Sequence, residues 1–452
     1  MTRERDLTTG NIATSLWLFA LPLMLGNVMQ QLYNLVDTWV VGRYIGDTAL
    51  AAVGSSYTIL TFLTSVIIGL CLGSSAFLSM AYGRRDESAM RNGMFLSFST
   101  SGALSLCLML IFYLFLDPII RLLQVPPETF ADMHTYLFYV FFGFFATFLY
   151  NYFSNVLRGI GNSFIPLLFL AISVVLNVAL DIYFVVCLDW GIRGAALATV
   201  FAQFVSGIGI TCYFLQKFPQ YRLSRSDMCW NKENLRSILS LSGCTCLQQS
   251  VMNFGILMVQ GIVNSFGTAV MAAFAVAVKI DTIAYMPVQD FGNAFSVFVA
   301  QNYGAQKPAR IRSGVRCALI SVAVFCVIIS GLVWCCAQPL MKLFVDASSV
   351  EVVRIGVQYL HIEGACYLGI GILFLLYGYY RAMNRPQMSV VLTICSLGTR
   401  VVLAYCLSSI AVIGVIGIWV SIPIGWFFAD MVGILFYLHL ARQSAAYTNT
   451  PL

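Results

Sequence analysis

Twelve long runs of apolar residues occupy most of the chain and decide what it can fold into. Each is long enough for a helix to cross the hydrocarbon layer of a membrane, which takes about 20 residues. The runs are continuous rather than alternating, which favours helices over the strands of a membrane barrel. They cover residues 14–41, 48–81, 92–116, 132–157, 163–188, 192–216, 237–265, 269–302, 314–340, 353–380, 387–411 and 413–440. The sequence therefore predicts an all-α polytopic membrane protein with twelve transmembrane helices.

The charged residues are few and unevenly distributed. Only 10% of the 452 residues are charged and 60% are hydrophobic, whereas about a quarter of the residues in a soluble domain are charged. The net charge of +6 could indicate nucleic-acid binding, but 18 Lys and Arg residues fall on one side of the predicted membrane and 5 on the other. Cytoplasmic loops carry such an excess. We therefore expect a multi-pass protein of the cell membrane with an uncleaved N-terminus, both termini in the cytoplasm and no nucleic-acid partner.

Short sequence elements recur at a nearly constant offset in the numbering. Tyr82-Gly83 returns as Tyr303-Gly304, at an offset of 221, and Gly191 returns as Gly414, at an offset of 223. The constant offset indicates duplication of a six-helix unit, and facing copies of such a unit suit alternating access of a substrate. The predicted organisation is an N-terminal lobe with helices 1 to 6 (1–217), a cytoplasmic linker (218–236) and a C-terminal lobe with helices 7 to 12 (237–452).

Residue types that carry catalysis or bind metals are scattered. The 14 Cys residues lie almost all in apolar runs without a CxxC pair, and the 3 His residues form no HxxxD or similar pair. Metal sites and disulfide frameworks show regular Cys or Cys/His spacings. The sequence also lacks the glycine-rich phosphate-binding loop of ATPases. We expect no cofactor, no structural metal and no enzymatic activity, which disfavours the alternative of a membrane-embedded acyltransferase.

The first half carries two acidic residues inside apolar runs, Asp37 in helix 1 and Asp181 in helix 5. Ionisable groups are costly in lipid and mark functional sites. Asp37 ends a polar stripe on helix 1 that also contains Asn27, Gln30 and Asn34, so this stripe must face the protein interior. Pro22 lies on the cytoplasmic side of the stripe and permits a bend in helix 1.

Two further polar residues are placed to join the two acids. Asn177 and Asp181 are four residues apart and share one face of helix 5, and Thr199 lies in the outer part of helix 6. Two carboxylates in a low-dielectric pocket require a counter-ion, so the pair either takes a proton or captures a monovalent cation. Asn177 and Thr199 would add neutral oxygen ligands suited to Na⁺. The alternative is that these polar groups only cross-link helices.

The second half does not repeat these acids. At an offset of 223, the positions equivalent to the three polar residues of helices 5 and 6 hold Arg400, Ala404 and Ile422. Its own ionisable residues within apolar runs include Lys279, Asp281 and Asp290 in helix 8 and His361 and Glu363 in helix 10. Two interpretations remain open: a buried ion-pair network with Lys279 as the counter-ion, or a set of substrate contacts.

Several motifs resemble those of the multidrug and toxic compound extrusion (MATE) family. They run in order along essentially the whole chain: Leu35-Val36-Asp37-Thr38-Trp39, Ala49-Leu50-Ala51-Ala52-Val53-Gly54, Leu157-Arg158-Gly159, Gly191-Ile192-Arg193-Gly194 and Gln301-Asn302-Tyr303-Gly304. The resemblance implies a V-shaped pair of lobes that exports cationic or amphipathic compounds in exchange for H⁺ or Na⁺ and functions as a monomer. It also implies a cation site, for which this chain offers Asp37, Asn177, Asp181 and Thr199.

The resemblance leaves the second half less defined. Family members with an additional acidic site in helices 7 and 10 have no clear match in helix 7, where Gln248 and Gln249 stand, and Glu363 is the acid of helix 10. The candidates for a substrate cavity or gate are therefore Pro22, Gln30, Asn34, Gln248, Lys279, Asp281, Asp290 and Glu363. The alternative function is a lipid-linked oligosaccharide flippase of the same superfamily, which the acidic candidate site disfavours.

Overall fold

The computed structural model describes residues 5–122, 126–345, 349–410 and 412–448. The first half contains α1 (Ile12–Tyr44), α2 (Asp47–Arg84), α3 (Glu87–Leu114), α4 (Leu116–Leu122), α5 (Pro127–Phe142), α6 (Phe144–Gly159), α7 (Phe164–Asp181) and α8 (Gly191–Lys217). The second half contains α9 (Lys232–Asn264), α10 (Thr268–Gly304), α11 (Pro308–Lys342), α12 (Val350–Gly364), α13 (Tyr367–Ala382), α14 (Pro386–Ser408) and α15 (Val415–Thr448). A π-helical turn, Ile182–Cys187, continues α7, and a 3-10 turn covers Pro219–Tyr221.

The helices supply the twelve predicted membrane spans. Ten are long and apolar enough to cross a membrane singly, and two bent pairs, α5 with α6 and α12 with α13, raise the number to twelve. Each of the twelve apolar runs falls on one of these spans. The prediction of an all-α membrane fold with twelve helices is therefore confirmed.

The two bent spans break at equivalent positions of the repeat. The bend between α5 and α6 measures 45°, and that between α12 and α13 measures 52°. At each bend a backbone N–H donates three residues back instead of four: Gly143 to the Val140 carbonyl at 3.0 Å, and Cys366 to the Glu363 carbonyl at 2.9 Å. Gly143 and Cys366 are themselves related by an offset of 223, the offset of the sequence repeat. The duplication therefore extends to local helix geometry, which the sequence analysis did not predict.

The chain divides into two compact units. The first contains the described residues up to Gly10, Trp17–Cys246 and Ala300–Lys307. The second contains Asn11–Leu16, Leu247–Val299 and the described residues from Pro308 onward. The division falls within α9, and the lobe boundaries given above stay a prediction.

In the first unit, α8 packs against α5, α6 and α7. Gly207 of α8 makes one of these approaches possible, because a Cβ at this position would lie 2.4 Å from the carbonyl oxygen of Ala146 in α6. In the second unit, α15 packs against α14 and α13. Gly425 of α15 has the equivalent function there, since its Cβ would lie 2.4 Å from the carbonyl oxygen of Ser396.

The segment between α8 and α9 is fixed to α3. Asp227 is buried and accepts hydrogen bonds from Arg91 Nε at 3.1 Å and from Ser224 Oγ at 2.6 Å. The side-chain amide of Asn92 donates to the backbone carbonyls of Asp227 and Cys229 at 3.0 and 2.8 Å. This linker is therefore an ordered structure with its own polar core.

Candidate cation site

Asp37 is the buried member of the polar stripe on α1. Its exposed fraction is 6%, whereas Asn27, Gln30 and Asn34 are half-buried. Asn34 makes a long contact of 3.5 Å with Gln31 of the same helix. Of these four residues, only Asp37, the one nearest the C-terminal end of α1, is enclosed.

Asp181 stands where α7 changes its winding. It is the last residue of the α-helix, and the next six residues form the π-helical turn. π-Helical turns are rare and frequently occur at functional sites. Asn177 and Asp181 are exposed by 1% and 0%, respectively, so the face that these two residues share on α7 is enclosed.

The carboxyl groups of Asp37 and Asp181 lie next to each other, close enough to share a hydrogen bond. In the described part of the chain, no hydrogen-bond donor reaches Asp37 Oδ1, either carboxylate oxygen of Asp181, or Asn177 Oδ1. A buried acceptor without a donor is costly, and more so when it is charged. Four such oxygens on three neighbouring residues therefore call for a proton or a cation.

Thr199 contacts two neutral polar residues near the carboxyl pair. Its Oγ1 accepts a hydrogen bond of 3.4 Å from Asn177 Nδ2 and lies 3.3 Å from the hydroxyl oxygen of Tyr33. Tyr33 precedes Asp37 by one helical turn and interacts electrostatically with both acids. The structure therefore brings together the four residues proposed from the sequence, on α1, α7 and α8.

Two tyrosines of the site were missed by the sequence analysis. Tyr33 lies beside Thr199, and Tyr136 of α5 faces both Asp37 and Asp181. The spacing of four residues between Tyr33 and Asp37 could have identified the first, because residues four apart share a helix face. No comparable signal identifies Tyr136, which comes from a helix without an acidic residue in the site.

The remaining candidates have different surroundings. Pro22 lies inside a continuous α1 and is half-buried, and Gln248 of α9 is buried. In the second unit, Asp281, Asp290 and Glu363 are buried.

The interpretation of Lys279 as their counter-ion needs correction. Lys279 is exposed, and the basic residue that interacts with Asp281 and Glu363 is Arg400 of α14. The physical reason is geometric: residues two apart, such as Lys279 and Asp281, do not share a helix face.

Up to twelve membrane spans and an internal repeat are the features of a polytopic membrane transporter. The chain belongs to the MatE family, whose model matches residues 22–183 and 244–406. The starts of the two matched segments are related by an offset of 222 and their ends by an offset of 223, which confirms the internal repeat.

Individual relatives agree with this assignment. The chain is 30% identical over 445 residues to "Probable multidrug resistance protein YpnP" of Bacillus subtilis, with 96% of each chain covered. It is 24% identical to "Probable multidrug resistance protein NorM" of Thermotoga maritima, which covers 93% of this chain and 90% of the relative. These relatives favour a multidrug efflux transporter over the flippase alternative.

Solved structures show the same fold. An outward-facing multidrug resistance MATE transporter of the MOP superfamily superposes with a TM-score of 0.91 at 22% identity over 100% of both chains. A MATE transporter in the bent conformation gives a TM-score of 0.91 at 21% identity, with 98% of each chain covered. The fold prediction of two six-helix lobes is thus confirmed at the level of the family.

Proposed function

We propose that the protein is a secondary antiporter that exports cationic or amphipathic small molecules, including drugs and toxic compounds, in exchange for H⁺ or Na⁺. The proposed coupling site consists of Asp37, Asn177, Asp181 and Thr199. The proposal also places the protein in the cell membrane, as a monomer with both termini in the cytoplasm. The names of the relatives support the substrate class.

One observation is the main support for the coupling site. Four buried acceptor oxygens on Asp37, Asn177 and Asp181 have no protein donor among the described residues. A cation bound among these oxygens would neutralise the pair, and its departure would leave two carboxylates that repel each other in a low-dielectric environment. Cation binding and release therefore change the electrostatic energy between α1 and α7. Such a change is what couples an ion to a conformational step.

The close approach of the two carboxyl groups supports H⁺ as the ion for this conformation. A proton fits between two carboxyl oxygens at hydrogen-bonding distance, whereas Na⁺ requires the oxygens to separate and surround it. Asn177 Oδ1 and Thr199 Oγ1 would complete a Na⁺ site after such a separation. The two ions therefore make different demands on the neutral ligands, which a variant series can distinguish.

The available driving force is sufficient for export. A membrane potential of about 100 mV supplies roughly 2.3 kcal/mol per charge, and one pH unit supplies roughly 1.4 kcal/mol per proton. Because about 1.4 kcal/mol corresponds to a tenfold ratio, one proton driven by both terms together could sustain a gradient of a neutral substrate of roughly several hundredfold. For a monovalent cation exchanged one for one with H⁺ the membrane potential cancels, and one pH unit sustains about tenfold.

The test is export of a fluorescent cationic dye by the purified protein in proteoliposomes. Separately imposed pH and Na⁺ gradients, without ATP, identify the coupling ion. We expect export with at least one of these gradients and none without a gradient. Export that requires ATP and proceeds without an ion gradient would contradict the proposal. A parallel assay with a labelled lipid checks that lipid flipping is not the main activity.

A further inference from the structure

The linker between α8 and α9 lies at the edge of the apolar spans. The buried side chain of Asn92, the first residue of the apolar run 92–116, donates hydrogen bonds to the backbone carbonyls of Asp227 and Cys229 at 3.0 and 2.8 Å. Its amide oxygen accepts a hydrogen bond of 2.9 Å from Asn234 in the first turn of α9. One side chain therefore fixes both the linker and the start of α9 at the level where the apolar run of α3 begins.

The linker also carries exposed apolar side chains at this level. The ring of Trp230 makes a T-shaped contact with Phe95, three residues further along α3 than Asn92, with 5.7 Å between the ring centroids. Trp230 nevertheless has an exposed fraction of 60%, and Met228 has one of 49%. Tryptophan is enriched at membrane–water interfaces, where its ring lies at the level of the lipid headgroups. The depth and exposure of these two side chains indicate contact with lipid.

The same segment is rich in exposed basic residues. Residues 217–236 include five of them and one exposed acid, Glu233. The second acid, Asp227, is buried and paired with Arg91 of α3. The exposed side chains of the segment therefore carry an excess of positive charge. The five basic residues are Lys217, Arg222, Arg225, Lys232 and Arg236.

Lys232 and Arg236 are the two basic residues on α9. They are four residues apart and share a helix face, on which like charges repel each other, and Lys232 is the first residue of α9, where a positive charge opposes the helix macrodipole. Neither forms an ion pair in the described part of the chain. Arg236 directly precedes the apolar run 237–265. The two cations therefore lie at the headgroup level without serving the stability of the helix, and an external anion would offset their repulsion.

We propose that the linker is a binding surface for an anionic phospholipid such as phosphatidylglycerol. Lys232 and Arg236 bind the headgroup phosphate, and Trp230 and Met228 insert beside the upper part of the acyl chains. Basic residues that directly flank a membrane span are attracted to anionic lipids. The inserted apolar side chains hold the cations within the short range over which this attraction acts in salt solution. This surface does not rest on the proposed antiport function.

The test is quenching of Trp230 fluorescence by brominated lipids in proteoliposomes of the full-length protein. The difference between each protein and its Trp230→Phe version, which keeps a ring against Phe95, isolates the contribution of Trp230. The membranes contain equal amounts of phosphatidylcholine and phosphatidylglycerol, and only one of these lipids carries bromine in a given sample. We expect stronger quenching when phosphatidylglycerol is brominated. High salt should reduce this excess, because it screens the attraction.

Substitutions of the basic residues test which side chains select the lipid. Lys232→Gln combined with Arg236→Gln should remove the excess and leave quenching by brominated phosphatidylcholine in place. Either substitution alone should lower the affinity for phosphatidylglycerol about fivefold, whereas Lys232→Arg keeps the charge and should retain it. The matched control is Arg121→Gln, because Arg121 is exposed on α4, which follows the opposite end of α3. Thermal unfolding verifies that each variant is folded.

Four outcomes would overturn the proposal. Absence of Trp230 quenching by either lipid would refute insertion of the linker. Equal quenching by the two brominated lipids in the wild type would refute the preference for an anionic lipid. An excess that persists in the double variant would refute the assignment of Lys232 and Arg236. Loss of the excess on addition of inorganic phosphate at constant ionic strength would show that the ligand is a soluble anion and not a lipid.

Discussion

The side-chain amide of Asn177 donates a hydrogen bond of 3.4 Å to the hydroxyl oxygen of Thr199. This contact uses the donor end of the amide, and the carbonyl oxygen at the other end, Asn177 Oδ1, has no donor in the described part of the chain. Asp181 follows one helical turn later, so the side chains of Asn177 and Asp181 share a face of α7. In the proposed site, Thr199 would orient Asn177 as an oxygen ligand, in addition to any coordination of Na⁺ by its own hydroxyl oxygen.

Asp37→Asn and Asp181→Asn should each abolish gradient-driven export. Asparagine retains the shape of aspartate but cannot exchange a proton or supply net charge to Na⁺. Dye export by proteoliposomes, normalised to the amount of inserted protein, measures the effect. The control is Asp117→Asn, since the side chain of Asp117 is 56% exposed and should not contribute. Wild-type export by both site variants would refute the assignment of the site.

Thr199→Val should weaken export more than Thr199→Ser. Valine matches threonine in shape but removes the acceptor for Asn177, whereas serine retains a hydroxyl group. A neutral hydrogen bond contributes about 1 kcal/mol, so we expect roughly a fivefold loss of affinity for the ion. The dependence of export on pH and on Na⁺ measures this affinity. A larger loss for Na⁺ than for H⁺ would show that Thr199 coordinates the metal; equal export by the two variants would refute an orienting role.

Gly83→Ala and Gly304→Ala should destabilise the described conformation of the first unit. A Cβ on Gly83 would lie 2.0 Å from the carbonyl oxygen of Gln301, and a Cβ on Gly304 would lie 2.1 Å from that of Met80. Overpacking of this kind costs about 1–3 kcal/mol, which thermal unfolding in detergent should detect. Gly243→Ala is the matched control, because a Cβ there meets no atom within 4 Å. Unchanged unfolding of both variants would contradict the close packing of α2 against the C-terminal end of α10.

Acidification should release the linker from α3. Hydrogen bonds from Ser224, and then the charge of Arg91, hold the pKa of Asp227 below its ordinary value. The folded linker thus favours the carboxylate. Its contribution to stability is complete above the ordinary pKa of an aspartate, about 4, and disappears as the pH falls through the lowered pKa.

Limited proteolysis of the linker tests this dependence. Asp227→Ala should make cleavage of the linker faster at neutral pH. Acidification, which should accelerate cleavage of the wild type, should have no such effect on this variant. The control Arg225→Gln, at an exposed linker position, should behave like the wild type. A protease active at low pH is required for the acidic measurements. Identical cleavage of wild type and Asp227→Ala at neutral pH would show that this carboxylate does not hold the linker.

The sequence alone determined the spans, the repeat and the acids of the first half. Lipid offers no partner for backbone polar groups, so a long apolar run without the alternation of a barrel strand forms a helix. For the same reason, a carboxyl group inside such a run must face protein. Asp37, Asn177 and Asp181 could therefore be recognised without coordinates, and helical periodicity placed the last two on one face.

Only the tertiary structure decided which side chains meet across different helices. Packing against neighbouring helices places Tyr136 next to the two acids. It also determines the bends at Gly143 and Cys366 and the π-helical turn after Asp181. The same is true of Arg400, which faces Asp281 and Glu363 from a third helix while Lys279 points outward. Periodicity specifies the face of a helix on which a residue lies. Which residues oppose that face is determined by the lateral position and rotation of the neighbouring helices, which follow from the packing of the whole unit.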